Sequence, residues 1–545
     1  MQVYDERSEH DPRRAYADIH GAGHEPVGGK QASRRTFLKA SGGLIAGAAA
    51  QVSPAVAPQG AVSADHGPPD IMKRDPEASS LVSSIAEFVH GTGFGDLPDT
   101  ICRIARQHLL DTIGCCLAAA RLETSRSLAS YLMSEGGTGQ ATAISIPQQL
   151  PVPQAAFMNG LLARSLEFDD MAMPDLHPSG AIMPLVLALC EWQRASGEQA
   201  ILAYVIGLEL CLRLDRAGYD RASRSSRFLE RGQDATAICG TLAGAAAAAK
   251  LLGLDAKAIA NAIGIAVSFA AGSLEANRSG GTIKRFQSGW AGKSAIQAAL
   301  LAKYGVEGPA QALEGRYGFY HCFVDGQFDP HTLTDGLASV WQTSDLRFKP
   351  YPSNYYTHAG IDAALALRQK GLKADEVASA QLAVATPMLH TIGEPLDRKQ
   401  APQTAYEAKF SGPYTVASAL IGGSGLGLGL DDFTDELIRD PARRALMRRI
   451  SVTSDPRCDS IFPQQAPAIL SVTTKDGRRM VEEVLINRGS PERPLSDDEL
   501  AVKFSENCRS VLAPETTEAL RSSIDRITEA KDLSEIVRIL ATVRG

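Results

Sequence analysis

Between about Leu81 and Tyr304 apolar residues recur at three- and four-residue intervals, one amphipathic stretch after another. Ile101, Ile104, Ala105, Leu109, Ile113 and Leu117 share such a face behind the start signal Pro98, which predicts a helix from Ile101 to Leu122. Thr236 to Leu252 is so dense in Gly and Ala that its neighbours could approach closely. Gln154 to Phe168, with Ala155, Met158, Leu162 and Leu166 on one face, and Ala181 to Arg194 read as further helices of a bundle with a buried centre. After Arg347 the pattern changes. Gln381 to Thr386 and Ala468 to Thr474 run in the strand manner, and Lys475-Asp476-Gly477 is a hairpin turn into Arg479 to Leu485. Past Pro494 helical spacing returns, over Ser496 to Leu512 and Glu515 to Val543. The fold expected is mainly α: a helical domain over 81–345, a smaller α+β lid domain inserted at 346–486, and C-terminal helices at 487–545 that complete the helical domain. Pockets favour such domain boundaries.

Ahead of this body, residues 1–64 form a leader and 65–80 a linker. Arg34-Arg35 stands before Thr36-Phe37-Leu38-Lys39, a weakly apolar run from Ala40 to Val52, and the small-residue cleavage pattern Val62-Ser63-Ala64. That order is a twin-arginine export signal. It predicts folding inside the cell, passage through the twin-arginine translocase, a mature chain from near Asp65 in the periplasm or outside a bacterial cell, and no membrane anchor after processing. The apolar run is too short and small-sided to span a bilayer.

The 545 residues are 44% hydrophobic and carry a formal net charge of −7, without a basic block in the body, which excludes nucleic acid as a partner. Nine Cys, an odd number with no C-x-x-C, include Cys102, Cys115, Cys116, Cys190, Cys211 and Cys239 inside apolar helical stretches, where buried free thiols are expected rather than disulfides or a zinc site. Gly422 to Gly429 is glycine-rich, but it follows a helical segment, Tyr414 to Ile421, so the strand that makes glycines cradle a pyrophosphate is missing, and a flexible connection is expected.

The chemistry is concentrated between Glu167 and Ser179. The predicted helix ends in Glu167, Asp169 and Asp170, where carboxylates oppose the macrodipole at a cost of roughly 0.3–1 kcal/mol each. Asp175 and His177 follow, with Pro178 and Ser179 opening the next helix, and a histidine there can be fixed by a neighbouring carboxylate while it donates to a ligand. A solvated acidic loop and a metal site remain open on these residues alone, since Glu167, Asp169, Asp170, Asp175 and His177 are all competent ligands, although their spacing is not that of a calcium loop.

Glu167-Phe-Asp-Asp, His177-Pro-Ser-Gly, Ala237 to Asp255, Lys284 to Gly315, Phe348-Lys349-Pro-Tyr-Pro, Glu407-Ala-Lys-Phe-Ser411 and Lys503-Phe504 together resemble the MmgE/PrpD family, in order and from Leu81 to the end. The resemblance implies a helical domain with a smaller lid, a homodimer formed through the helical domain, and substrate held between the two parts. It also implies dehydratase, decarboxylase or epimerase chemistry on a small di- or tricarboxylate, with no metal, nucleotide or flavin cofactor. Glu167, His177, Lys284 and Lys349 match pocket positions of the family, and Asp169 and Asp170 belong to the same segment. Two lysines and a histidine suit a substrate with several carboxylates, through charge-assisted hydrogen bonds and through stabilisation of the negative charge left when a neighbouring proton is removed.

The departures are informative. Asp234-Ala235-Thr236 stands where many members carry His-x-Thr, Gln287 where many carry a histidine after the pocket lysine, Asn354 where the lid often has Cys or His, and His390 or Thr391 near a usual tyrosine. The substrate expected therefore carries fewer carboxylates than methylcitrate, or a nitrogen that Asp234 could pair with. In the mechanism expected, Lys284 and Lys349 clamp substrate, Asn354 and Thr236 are neutral partners, His177 is the base and His358 or His390 the second proton carrier. Two rivals follow from the same residues: an exported carboxylate-binding protein without catalysis, and a metal-dependent hydrolase.

Overall fold

The computed structural model describes residues 80–545, which are mainly helical with one small four-stranded sheet. The leader with Arg34 and Arg35 lies outside the described residues. The helices of the N-terminal part that frame the site are α1 (Asp99–Ala119), α2 (Val152–Arg164), α3 (Ser179–Gln193), α4 (Gly197–Ala217), α5 (Ala235–Leu251) and α6 (Lys284–Lys303). One hydrophobic core joins residues from Val82 to Leu346 with Phe504 to Val543, so both ends of the described chain supply it. A second core runs from Tyr351 to Val484 and takes in Met171.

The Gly and Ala content of α5 and α6 sets how closely the bundle closes. A Cβ on Gly244 would come within 2.7 Å of Leu185 and 2.9 Å of Ala295, and one on Gly160 of α2 would land on the backbone of Gly289 in α6. Backbones at that distance bring the ends of α2, α3, α5 and α6 together, and the site is built at those ends.

In the sheet part, strands β1 (Val377–Val384), β2 (Ile450–Ser454), β3 (Ala468–Thr474) and β4 (Arg479–Val484) lie in the order β2-β1-β3-β4. β1 and β2 are parallel, with Ala380 opposite Ile450, and the other two pairs are antiparallel, with Gln381 opposite Ser471 and Ser471 opposite Val481. Helices α7 (His358–Gln369) and α8 (Gly412–Ile421) pack on the sheet. The chain then returns to the helical part as α9 (Asp497–Cys508), which packs on α1.

Several sequence expectations change. β2 was not foreseen, because its five residues make a short strand between helical stretches. The predicted helix Glu515 to Val543 is two, Pro514–Asp525 and Ser534–Leu540. The glycine-rich run is no loose connection: Asp432 accepts from Ser424 N (2.8 Å), Ser424 Oγ (2.9 Å) and Gly429 N (2.8 Å), and Arg488 donates to Leu426 O (3.1 Å). All nine cysteines are free; of the six singled out, Cys102 is partly exposed and the other five are buried. Among the described residues no helix is long and apolar enough to cross a membrane.

A methyl group on Gly289 would meet the main-chain carbonyl of Phe157, which cannot swing aside as a side chain could. Gly289→Ala is expected to cost about 1–3 kcal/mol through overpacking. A lower melting temperature with unchanged far-UV circular dichroism is the expected result; wild-type melting would show that the two helices separate freely.

Candidate active site

The helix that the apolar pattern carried to Phe168 ends four residues sooner, at Arg164. Glu167 then adopts φ 56°, left-handed backbone that a residue with a side chain seldom takes. Basic side chains replace the missing helical bonds. Lys409 Nζ donates to Leu166 O (2.6 Å), Lys349 Nζ to Glu167 O (3.4 Å) and Lys503 Nζ to Phe168 O (2.9 Å), while His177 Nδ1 lies 2.8 Å from Asp170 O. Cations at this end also complement the negative pole of α2, which offsets the unfavourable carboxylates noted in the sequence.

The Glu167 carboxylate is buried among cations. Its Oε1 accepts from Lys284 Nζ (2.9 Å) and from Tyr406 Oη (3.2 Å), and its Oε2 lies 3.6 Å from Lys349 Nζ. Burial opposes its ionisation, but Lys284, Lys349 and Arg164 outweigh burial and hold it well below the usual carboxylate range. Burial likewise opposes the charge of Lys284, and Glu167 outweighs it, so that ammonium is held above the ordinary lysine range. Lys284 is the first residue of α6, and Lys349 enters from the sheet part. Tyr406 and Lys409 belong to the one-turn helix Ala405–Ala408 and its C-cap.

On the helical wall, His177 N donates to Thr236 Oγ1 (3.0 Å); its Nδ1 is 3.5 Å from Asp169 and its Nε2 is 3.6 Å from Asp175. Asp170 faces away from this group. It takes the hydroxyl of Ser179, accepts from Ser179 N (3.3 Å) and stands 3.1 Å from His108 Nδ1. Burial would raise it, and the bond to His108 instead carries it below the usual value. His108 stacks on Phe348 at 4.0 Å, directly before Lys349. Behind it Lys503 pairs with Asp111 at 2.6 Å.

The remaining predicted residues divide clearly. Asp234 is the N-cap of α5, accepting from Ala237 N (3.3 Å), and lies 4.0 Å from Arg164, so its charge is already engaged. Asn354 accepts from Tyr356 N and its own N–H donates to Lys409 O (2.9 Å), which makes it a support for Lys409. Gln287 turns to Ser273 O (2.7 Å). His358 is buried with Nε2 on Ser353 O (3.2 Å), and burial, then the neighbouring Lys349, push it well below the ordinary histidine range. His390 lies apart: its side chain is 83% exposed and pairs with Glu394 one turn away, because the short helix Thr386–Ile392 buries Met388 and Ile392 instead. It is therefore removed from the pocket group. Among the described residues no three His, Cys, Asp or Glu side chains are placed to hold a metal ion. The acids that invited a metal are engaged with Lys284, His108, Ser179 and His177.

Lys409, Lys503, Tyr406, Arg164 and His108 were not foreseen as site residues. Lys409 and Lys503 stand inside two of the stretches that carry the family resemblance, and that was the available signal.

Residues 83–331 match the MmgE/PrpD N-terminal domain, and residues 351–529 match the MmgE/PrpD C-terminal domain. The chain belongs to the MmgE/PrpD family. It is 28% identical to the cis-aconitate decarboxylase of Mus musculus over 479 residues, 85% of this chain and 93% of that protein. It is 23% identical to the mitochondrial 2-methylcitrate dehydratase of Yarrowia lipolytica over 488 residues (85% and 90%), and 26% identical to the 2-methylcitrate dehydratase of Escherichia coli K12 over 404 residues (69% and 79%). This MmgE/PrpD protein is an enzyme of the lyase type, and the cluster around Glu167 occupies the junction of its two family domains.

Lys503 is buried, and removing it strands Asp111, whose carboxyl burial already pushes up. Lys503→Met is expected to lower stability by about 3–5 kcal/mol in urea unfolding, and adding Asp111→Asn to recover a large part. If the double variant were no more stable than the single one, Lys503 would be acting through Phe168 O rather than through Asp111.

Proposed function

We propose that this enzyme removes and returns a proton next to a carboxylate of a small di- or tricarboxylic acid by cofactor-free acid–base chemistry, giving dehydration where a β-hydroxyl can leave and epimerisation where nothing can. The supporting observation is that two ammoniums, the part-buried Lys284 and the buried Lys349, share the single carboxylate of Glu167. One substrate carboxylate would complete that balance. The same lysines would then stabilise the charge that spreads onto the carboxylate as the carbon loses its proton.

His177 is the proposed base. A proton on Nδ1 satisfies Asp170 O and leaves the lone pair on Nε2. The sheet part serves as the lid, since Lys349, Tyr406 and Lys409 reach the Glu167 segment from it.

The other end of the cluster is acidic. Asp169 and Asp234 flank Arg164 at 3.8 and 4.0 Å, Asp175 faces His177, and Asp169 Oδ2 is buried without a hydrogen-bond partner. A pocket with one unmatched cation at one end and surplus acid at the other favours a substrate with few carboxylates, or one carrying a protonated nitrogen. Asp169 and Asp175 are better placed than Asp234 to meet such a nitrogen, because Asp234 is committed to its helix and to Arg164.

The test is turnover and calorimetry on one panel: 2-methylcitrate, cis-aconitate, and amino and imino dicarboxylates. Conversion of a nitrogen-bearing acid, lost in His177→Ala with the far-UV spectrum unchanged, is the expected outcome. Good turnover of 2-methylcitrate alone would overturn the substrate assignment, and binding without conversion would favour the carboxylate-capture role.

Export through the twin-arginine route and homodimerisation are part of the same proposal. Exposed Tyr131 and Trp290 lie on neighbouring helices linked by Glu135 and Lys293, a face suited to a second copy. Arg34→Lys with Arg35→Lys should hold the protein in the cytoplasmic fraction. Sedimentation of the wild type should give twice the chain mass, and Trp290→Glu the single mass.

A further inference from the structure

Four lysines meet the Glu167 segment, and one of them is unlike the rest. Lys284 and Lys349 each have Glu167 within 4 Å, and Lys503 has Asp111. Lys409 has no carboxylate partner among the described residues. Its Nζ makes a single hydrogen bond, to Leu166 O at 2.6 Å, and otherwise lies 5.5 Å from the centroid of the Phe433 ring. An ammonium has three protons to place, and a buried one with a single acceptor is costly, whereas a free amine is content with one. The position is also held from behind, since Lys409 O accepts from Asn354 N (2.9 Å).

We propose that Lys409 is the proton donor of the sheet-side wall, working with His177 on the helical wall. This rests on the acid–base reading above and assigns its second group. In dehydration, His177 Nε2 takes the proton next to the carboxylate, and the C–H electron pair becomes the new C=C bond. The β C–O bond breaks with its electrons on oxygen, which receives the proton of the Lys409 ammonium and leaves as water. In epimerisation the same proton goes to the far face of the carbon. Either way the cycle leaves an imidazolium and an amine, and solvent returns one proton from the first to the second.

The surroundings suit this exchange. Burial draws Lys409 down to about 7; Glu167 resists, while Arg285 and Lys349 push the same way as burial, and the Cys115 thiol resists with Glu167. Both forms of Lys409 are therefore populated near neutral pH, as a proton carrier requires.

Two measurements test it. The first needs no substrate: a lysine lowered in the folded state makes stability rise with pH between about 7 and about 10.4, because the unfolded chain binds the extra proton there. The urea midpoint of wild type should climb between pH 7.5 and pH 9.5 more than that of Lys409→Met. Equal slopes would show a lysine that stays charged and would overturn the proposal. The second uses Lys409→Arg, which keeps an N–H for Leu166 O but cannot release its proton. Turnover of the acid found active in the panel should fall at least 100-fold with folding retained, and the alkaline limb of the wild-type pH profile should vanish. Wild-type turnover in Lys409→Arg would reduce Lys409 to a tether. If no acid in the panel is converted, the functional reading fails, and the urea comparison alone still decides whether Lys409 is an amine.

Discussion

The main-chain carbonyls of Leu166, Glu167, Phe168 and Asp170 are the feature on which the rest of the site depends. A carbonyl buried without a donor is costly, and here the donors are basic side chains drawn from distant points of the sequence. Lys349 and Lys409 come from the sheet part, Lys503 from α9 and His177 from the far end of the segment itself. Satisfying one short stretch of backbone thus fastens the sheet part and the C-terminal helix to the bundle, and brings Lys349 beside the Glu167 carboxylate and Lys503 beside Asp111. The left-handed Glu167 is tolerated because so much holds it.

Buried ion pairs are weak sources of net stability, since desolvation consumes most of the Coulombic gain. Their effect here is geometric. Glu167 fixes Lys284 and Lys349, Asp111 fixes Lys503, and Asp170 fixes His108 and Ser179. The polar cluster therefore sorts into groups paired at hydrogen-bond distance and a few that are not: Lys409 with the single acceptor Leu166 O, Asp169 Oδ2 with charged neighbours but no hydrogen bond, and His177 Nε2 with Asp175 at 3.6 Å. Chemistry needs groups of the second kind held rigidly by groups of the first.

Much of the architecture was legible because it rests on long periodic signals. The Ala- and Gly-dense helix was placed within a residue of its observed ends, and β3 ran over its observed residues, since repeated spacing averages over local noise. The end of α2 was not legible. Leu166 and Phe168 continue the apolar pattern, and nothing nearby announces that lysines some 180 to 340 residues away will claim the carbonyls. Isolated lysines such as Lys409 carry no period at all, so only the family resemblance marked their neighbourhoods. His390 shows the opposite failure: a titratable residue near a suspected position, which the amphipathic turn of its own short helix sends to solvent.

The replacement at Asp234 shows how one position can be misread without its partners. Taken alone, an acid where a histidine is usual suggests a new contact to substrate. In the fold it caps α5 and shares Arg164 with Asp169, so its charge is spent inside the protein. An anion here completes the match of Arg164, so that the imbalance of charge lies at the other end, where Lys284 and Lys349 share Glu167. On the proposed reading, a site polarised in that way would orient a ligand by its own charge distribution. On the same proposed reading, selection for fewer carboxylates would follow from the number of unmatched cations rather than from the shape of any one contact.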